Sequence, residues 1–291
     1  MGYYKSFDTT ENIIKNIVIP RKIDSRKGEN GIIMVIGGSK IYHGAPILAS
    51  YSALRSGIDL VYTAVPKSIV IPVRTFCPDF IVIPLVDEKL TVGSANRLVS
   101  SLPKTPHSVA IGMGMSISKP DALKILVDKF IQKKCKLVLD ASALIPEIIP
   151  IIQNTNSIVT PHAGEFKRLF SQDINNESTD RQILMVNKLS EKYGITIILK
   201  GFNNIISNGE QYSVINRSTP AMTVGGTGDI LAGLIAGFLT KYDTFNSSIL
   251  GVYFNGIAGY NVYKKYGFHI AASDIIKELP VVLKEYDKMD T

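Results

Sequence analysis

Residues 223–233 read Thr223-Val224-Gly225-Gly226-Thr227-Gly228-Asp229-Ile230-Leu231-Ala232-Gly233, a glycine-rich turn that runs straight into an apolar helix with one carboxylate at the junction. Gly225, Gly226 and Gly228 remove side chains where backbone N–H groups can converge on an anion. The helix start adds its unpaired amides and the positive end of its dipole. That combination is a phosphate seat. An acid beside a phosphate is repelled unless it takes a proton from a nucleophile or helps hold a metal, so Asp229 reads as a general base. The alternative is a plain helix start with Asp229 as an ordinary first-turn acid, in which case the glycines would cost backbone entropy without a role.

Upstream of this turn, segments 204–207 and 211–215 flank Asn208-Gly209, whose two residues both tolerate positive φ, and so predict a small antiparallel hairpin. Before the hairpin, apolar strand patterns alternate with helical ones. Strands are expected at 32–36, 60–65, 80–83, 108–111, 137–139, 157–160 and 195–199. Helices are expected at 11–17, 45–56, 67–73, 94–100, 120–134 and 179–193. After the turn, helices follow at 228–241, 248–265 and 273–286, the last with a kink or break at Pro280. Strands alternating with helices imply a parallel sheet with right-handed crossovers and helices on both faces. Ligands bind such sheets at the carboxyl ends of their strands, where Gly37, Gly112, Asp140, Thr160 and Lys200 fall.

At 291 residues and 45% hydrophobic content, with no linker or repeat, the chain is read as a single domain over 1–291 with 1–30 as a lead-in. Cys77 and Cys135 lie far apart without a CxxC pattern, which suggests reduced structural thiols and neither a disulfide framework nor a zinc site. The 32 basic and 25 acidic residues give +7, which suits nucleotides. The basic residues are scattered and lack aromatic interleaving, so no nucleic-acid partner is expected. No signal peptide and no run of membrane-spanning length is present, and a soluble cytoplasmic protein with no membrane partner is expected.

Four further stretches sit at strand ends: Gly37-Gly38-Ser39-Lys40-Ile41-Tyr42-His43-Gly44-Ala45-Pro46, Ala110-Ile111-Gly112-Met113-Gly114-Met115, Thr160-Pro161-His162-Ala163-Gly164-Glu165 and Ile198-Leu199-Lys200-Gly201. In this order, together with the 223–233 turn, they resemble the ribokinase-like superfamily, and within it the ADP- or ATP-dependent NAD(P)H-hydrate (NAD(P)HX) dehydratases. The resemblance runs from Arg26-Lys27-Gly28 to Ala272-Ser273-Asp274. It implies a ribokinase-like α/β fold, with a mostly parallel central sheet, helices on both faces and a small antiparallel hairpin.

It also implies a reaction: phosphoryl transfer from ADP or ATP to the ring hydroxyl of NADHX or NADPHX, then loss of phosphate to regenerate NADH or NADPH. By resemblance, Asp229 removes the hydroxyl proton and contacts substrate, and the amides around Gly226, Thr227 and Gly228 hold the transferring phosphoryl group. Lys200, Gly201, Phe202, Asn203, Asn204 and Gly228 contact the nucleotide, and Ala45, Gly114 and His162 line the substrate pocket. Glu165 acts on Mg²⁺ through water. A homo-oligomer is expected, as is a separate NAD(P)HX epimerase, since no segment remains here for one. The chain departs from the family pattern at Asp140-Ala141-Ser142, where a second acid is usual, at Asn204, at Thr219-Pro220-Ala221, and at Met113 and Ser116.

Duller readings stand beside these: His162 as a core histidine, Glu165 as a first-turn helix acid, Lys200 as a solvated surface lysine. Two other functions fit the same fold: a kinase for a hydroxymethylpyrimidine- or hydroxyethylthiazole-type alcohol, and a nucleotide-binding sensor without turnover. The basic segment 21–27 either shapes a neighbouring subunit's pocket or caps the first strand.

Overall fold

The computed structural model describes residues 4–216 and 219–290. Residues 1–3, 217, 218 and 291 of the expected single unit lie outside the described residues. In chain order the elements begin with β1 (Lys5–Ser6), α1 (Glu11–Ile17), β2 (Arg21–Lys22), β3 (Ile32–Ile36), α2 (Gly44–Arg55), β4 (Leu60–Pro66), α3 (Val70–Phe76), β5 (Phe80–Leu85) and α4 (Val92–Ser100). They continue with β6 (Ser108–Ile111), α5 (Pro120–Gln132), β7 (Lys136–Leu139), α6 (Ile149–Ile152), β8 (Ser157–Val159), α7 (Ala163–Phe170) and α8 (Thr179–Tyr193). The last are β9 (Thr196–Leu199), β10 (Asn203–Ser207), β11 (Gln211–Asn216), α9 (Thr227–Leu239), α10 (Thr244–Tyr266), α11 (Ala272–Leu283) and β12 (Met289–Asp290).

One ten-stranded sheet has the order β1-β11-β10-β9-β8-β7-β6-β3-β4-β5. Neighbours from β5 across to β9 pair in parallel, and β10 turns antiparallel to both β9 and β11. The chain builds outward from β3 to β5, then returns to place β6 on the other side of β3. That reversal opens a crevice at the strand ends. Both faces of the sheet are covered, which is why the strands read as unbroken apolar runs. Ile33 and Val35 of β3 join one core, and Ile32, Met34 and Ile36 join the other.

Helix α9 is buried from Ile230 to Leu239 and apolar on every side, as a helix enclosed on all faces must be. It packs between the sheet, α2 and α10. Its approach to α2 needs Gly233, where a Cβ would come 2.0 Å from the Ala49 carbonyl oxygen. The Ser108 hydroxyl donates to the Ala236 carbonyl at 2.6 Å and ties the same helix to β6. At roughly 1.5–3 kcal/mol for each fully buried large aliphatic side chain, the packing of this helix fixes the position of its first turn.

Most expected elements are present within a few residues of their sequence-read bounds. Four features differ. Pro280 neither breaks nor ends α11, because its missing N–H forfeits one bond while the Lys284 amide still bonds to the Pro280 carbonyl. Segment 67–73 opens as a 3₁₀ turn over Lys67–Ile69 before α3. Helix α6 is not among the helices read from the sequence, and α7 is implied there only by the first-turn reading of Glu165. Finally, β1 extends the hairpin beside β11, and β2 pairs with β12. Among the described residues no helix is long and apolar enough to cross a membrane.

The 21–27 segment lies at the amino end of the sheet, away from the crevice. Arg21 Nη2 bonds Asp59 Oδ1 at 3.0 Å, and Asp59 Oδ2 accepts from the amides of Gly28 at 2.7 Å and Asn30 at 3.0 Å. This segment therefore caps the start of β3 and β4.

Candidate active site

The 223–233 turn leads into α9 as its glycines suggest. A 3₁₀ turn over Pro220–Thr223 ends at Val224, and Gly226 adopts φ +97° as the N-cap residue, a conformation costly for any side chain. Thr227 does not aim its hydroxyl outward: Oγ1 donates back to the carbonyls of Met222 and Val224 at 3.0 and 3.2 Å. The backbone N–H groups of residues 225–229 bond to no other described residue. Five adjacent donors are thus left for an anion.

Asp229 occupies the first turn of α9 and accepts no hydrogen bond among the described residues. Burial, and next the charge of Asp140, push its carboxyl up to about 7, while Lys200 pulls the other way. An acid with that value is ionised in useful fraction near neutrality and still basic enough to take a proton.

Asp140 caps the end of β7 and is 3% exposed. Its Oδ1 receives the Lys200 ammonium at 2.7 Å and the Thr160 hydroxyl at 2.8 Å. It approaches the crevice closely because Gly112, at φ +121°, has no side chain: a Cβ there would lie 1.9 Å from the Asp140 carbonyl oxygen. Lys200, at the end of β9, also lies 3.7 Å from Glu165 Oε2, and a Cβ on Gly228 would sit 3.6 Å from its Nζ. Burial works against its charge, but Asp140 and Glu165, with Asp229 beyond them, hold the ammonium above the usual lysine value. Lys200 is therefore a permanent cation against the glycine turn and not a solvated surface lysine.

His162 is the N-cap of α7. Its Nδ1 accepts from the amides of Gly164 at 3.0 Å and Glu165 at 3.2 Å, and Glu165 Oε2 accepts from the His162 amide at 2.9 Å, closing a capping box. This bonding pattern places the imidazole proton on Nε2, which lies 3.6 Å from Glu165 Oε2 on a side chain 60% exposed. His162 is thus not a core histidine. Glu165 is a first-turn helix acid and also a member of the site cluster, 3.7 Å from the Lys200 ammonium, and its Oε1 accepts no hydrogen bond among the described residues.

A cavity of about 170 Å³ joins His162, Lys200, Gly201, Asn204, Thr227 and Gly228 to Met222, Leu231, Val252 and Asn255. Asn204 is buried and braces the turn, accepting weakly from the Gly201 amide at 3.4 Å and donating to the Ile215 carbonyl at 3.3 Å. Asn203 bonds the Asn216 side chain across the hairpin, and Phe202 is 64% exposed. Ala45 and Gly114 lie outside this cavity but beside each other, with 3.0 Å between the Ala45 Cβ and one built on Gly114.

Two residues here went unassigned in the sequence. Asp140 was marked only as a strand end, although an acid closing an apolar strand was signal enough. Asn255, on α10, is 6% exposed, and its Oδ1 is buried with no partner. A buried acceptor left unsatisfied in a cavity wall is a place for a ligand donor.

The order of strands, the glycine turn and the strand-end cluster define a ribokinase-like protein. The family model for NAD(P)H-hydrate dehydratase matches residues 33–281, and the chain belongs to that family. It is 50% identical over 281 residues to the ADP-dependent (S)-NAD(P)H-hydrate dehydratase of Nitrosopumilus maritimus, covering 96% of this chain and 98% of that one. It is 38% identical over 270 residues to the bifunctional NAD(P)H-hydrate repair enzyme Nnr of Pyrobaculum aerophilum, covering 91% of this chain but 53% of that protein. The ADP/ATP-dependent NAD(P)H-hydrate dehydratase of Bacillus subtilis, co-crystallized with ATP/Mg²⁺, shares the fold at a TM-score of 0.82 and 23% identity, over 98% of this chain and 99% of that one.

Proposed function

We propose that this chain is a single ribokinase-like unit that converts NADHX and NADPHX back to NADH and NADPH, driven by ADP or ATP. The observation that carries the reading is Asp229: a half-buried carboxylate with no hydrogen-bond donor, held near pH 7, at the head of a helix whose first amides are unpaired. A phosphate-binding sensor would gain nothing from such a charge.

In the reaction, Asp229 takes the proton of the ring hydroxyl as its oxygen attacks the terminal phosphorus of the nucleotide. The amides of Gly226, Thr227 and Gly228 hold the equatorial oxygens of the transferring group. ADP leaves as AMP, or ATP as ADP. The ring nitrogen's lone pair then expels phosphate from the neighbouring carbon, and loss of a ring proton restores the dihydronicotinamide. Lys200 faces the nucleotide phosphates, with Gly201, Phe202, Asn203 and Asn204 lining their approach and Asn255 meeting a donor group of the base. Ala45, Gly114 and His162 contact the substrate, His162 through Nε2–H.

Among the described residues no three His, Cys, Asp or Glu side chains are grouped to hold a metal by themselves. The free Oε1 of Glu165 fits an ion that keeps its waters and takes most other ligands from phosphates, as Mg²⁺ does. When bound, such an ion would neutralise phosphate charge. We further propose a cytoplasmic homo-oligomer working beside a separate epimerase, consistent with relatives in which this unit is about half of a bifunctional chain.

The test is incubation of purified protein with chemically hydrated NADH, Mg²⁺ and either nucleotide. Reduced-nicotinamide absorbance should return with stoichiometric release of phosphate. A stable phosphorylated pyrimidine or thiazole alcohol, with no absorbance gain from hydrated NADH, would identify a vitamin-type kinase instead.

A further inference from the structure

A cavity of about 580 Å³ lies beside the 21–27 segment, at the amino end of the sheet and away from the strand-end crevice. It is bounded by the ends of α2 and α9, by Phe254 of α10 and Leu283 of α11, and by the paired β2 and β12. Gly237 lets the two helix ends meet: a Cβ there would lie 2.0 Å from Ser56 Oγ. That approach brings Arg55 of α2 and Lys241, just past α9, to the same cavity. Helix α9 spans 13 residues, about 20 Å, between this cavity and the Gly228–Asp229 turn at its other end.

Arg21, Arg55, Lys241, Lys284 and Lys288 line the cavity, and among the described residues Asp287 is the one acid in its wall. Two of the cations are engaged by the fold: Arg21 by Asp59 and the Gly57 carbonyl, Lys288 by the carbonyls of Lys15 and Val18. The other three are not. The Arg55 guanidinium makes one hydrogen bond among the described residues, from Nη2 to the Tyr51 hydroxyl at 2.9 Å, and its Nε is buried with no partner. The ammonium groups of Lys241 and Lys284 make no ion pair or hydrogen bond among the described residues. Arg55 and Lys241 each balance a helix C-terminus, but a helix end carries only about half a charge. Burial, then the charge of Arg21, hold Lys241 below the usual lysine value, with Asp59 and Asp287 too weak to offset them. An anion beside Lys241 would relieve that cost. Phe238, Tyr242, Phe254 and Tyr286 add ring surface to the wall. The Tyr242 hydroxyl accepts from the Ile19 amide at 3.2 Å, and the Tyr286 hydroxyl is bonded to that of Tyr253 at 3.2 Å.

We propose that this cavity is a second ligand site for a small phosphate monoester with a flat apolar body, the phosphate between Arg55, Lys241 and Lys284 and the body against the rings. Three unengaged cations facing one acid suit a dianion better than a monocarboxylate, and the volume falls within the range of small-molecule sites. The site does not depend on the reaction proposed above, because it shares no lining residue with the catalytic cavity.

The test uses phenyl phosphate as the probe, titrated by calorimetry into protein already saturated with ADP, alongside inorganic phosphate and phenol as its two halves. Wild type should bind one equivalent, more tightly than either half. Lys241→Gln should weaken that binding about tenfold, as expected for one charge-assisted hydrogen bond. Lys284→Gln, at an exposed position where folding is not at risk, should weaken it severalfold. ADP affinity should be unchanged in both variants. Without the probe, Lys241→Gln should melt no lower than wild type, because it removes a desolvated charge. Failure of phenyl phosphate to bind the ADP-saturated protein, or binding that both variants leave unaltered, would overturn the site. So would a lower melting temperature in Lys241→Gln with probe affinity intact, since the cation would then serve only to balance the end of α9.

Discussion

Asp59 and Asp229 are both partly buried carboxylates beside a strand or helix end, and they are treated in opposite ways. Burial alone would raise Asp59, but the amides of Asn30 and Gly28, the Asn30 side chain and then Arg21 outweigh it and hold its carboxyl below the ordinary value. Asp229 receives no such donors, faces Asp140, and is pushed up to about 7. The difference separates a structural acid from a reactive one. A carboxylate whose lone pairs are filled by the fold stabilises the fold, whereas one buried without donors costs stability that only a ligand or a proton can offset.

The largest expected effect is on turnover. Asp229→Asn should reduce kcat by about a thousandfold, within the range for losing a positioned base, while ADP binding measured by calorimetry stays within severalfold. The folded protein should not suffer, since the variant removes a buried charge that lacks donors. Undiminished dehydration in Asp229→Asn would mean that the proton goes elsewhere.

Asp59→Asn should do the reverse. An amide in place of that carboxylate turns an N–H toward donors it used to satisfy, at a cost of about 1–3 kcal/mol, read as a lower urea midpoint with kcat retained. The sign with pH also differs between the two acids. Because Asp59 is depressed in the fold, its contribution is present above its unfolded value of 3.8 and disappears as pH falls through its lower folded value. Because Asp229 is raised, the folded state holds its proton longer, so its contribution makes stability decline as pH climbs from about 4 to about 7. Asp229→Asn should remove that slope.

The same contrast predicts the rate profile. The acid limb of kcat/KM should fall near pH 7, where free Asp229 becomes protonated. Asp140 raises that value and Lys200 lowers it, so Asp140→Asn should move the limb to lower pH even as overall activity drops. A limb that stays in place would show that Asp229 does not set it.

The glycine turn and the parallel strands were legible because each is a local pattern: Ile32–Ile36 is apolar throughout since both faces of β3 are covered, and the turn's glycines announce a helix start. What escaped is long-range or capped unusually. Lys200 and Asp140 stand 60 residues apart, and nothing local pairs them. Helix α7 follows Pro161 and is capped by a histidine, where start signals are usually Ser, Thr, Asp or Asn. Asn255 is one polar residue on a largely buried helix, and its missing partner exists only in three dimensions. Two-residue strands such as β1 and β2 carry no period to read.

His162 combines both treatments in one side chain, and it gives the smallest and most separable prediction. Its Nδ1 is filled by two amides, like the oxygens of Asp59, whereas its Nε2–H makes no hydrogen bond among the described residues, lying 3.6 Å from Glu165 Oε2 on a side chain 60% exposed, and is the nitrogen left to meet a ligand. His162→Ala should lose both roles, with about 1 kcal/mol of stability gone along with the cap and a rise of several fold in KM for hydrated NADH. His162→Asn supplies a side-chain oxygen that can accept from the same amides, and asparagine is among the best N-cap residues. It should therefore restore the melting temperature and leave KM raised. If asparagine recovered both properties together, the imidazole would be only a cap, and Nε2 would have no part in holding substrate.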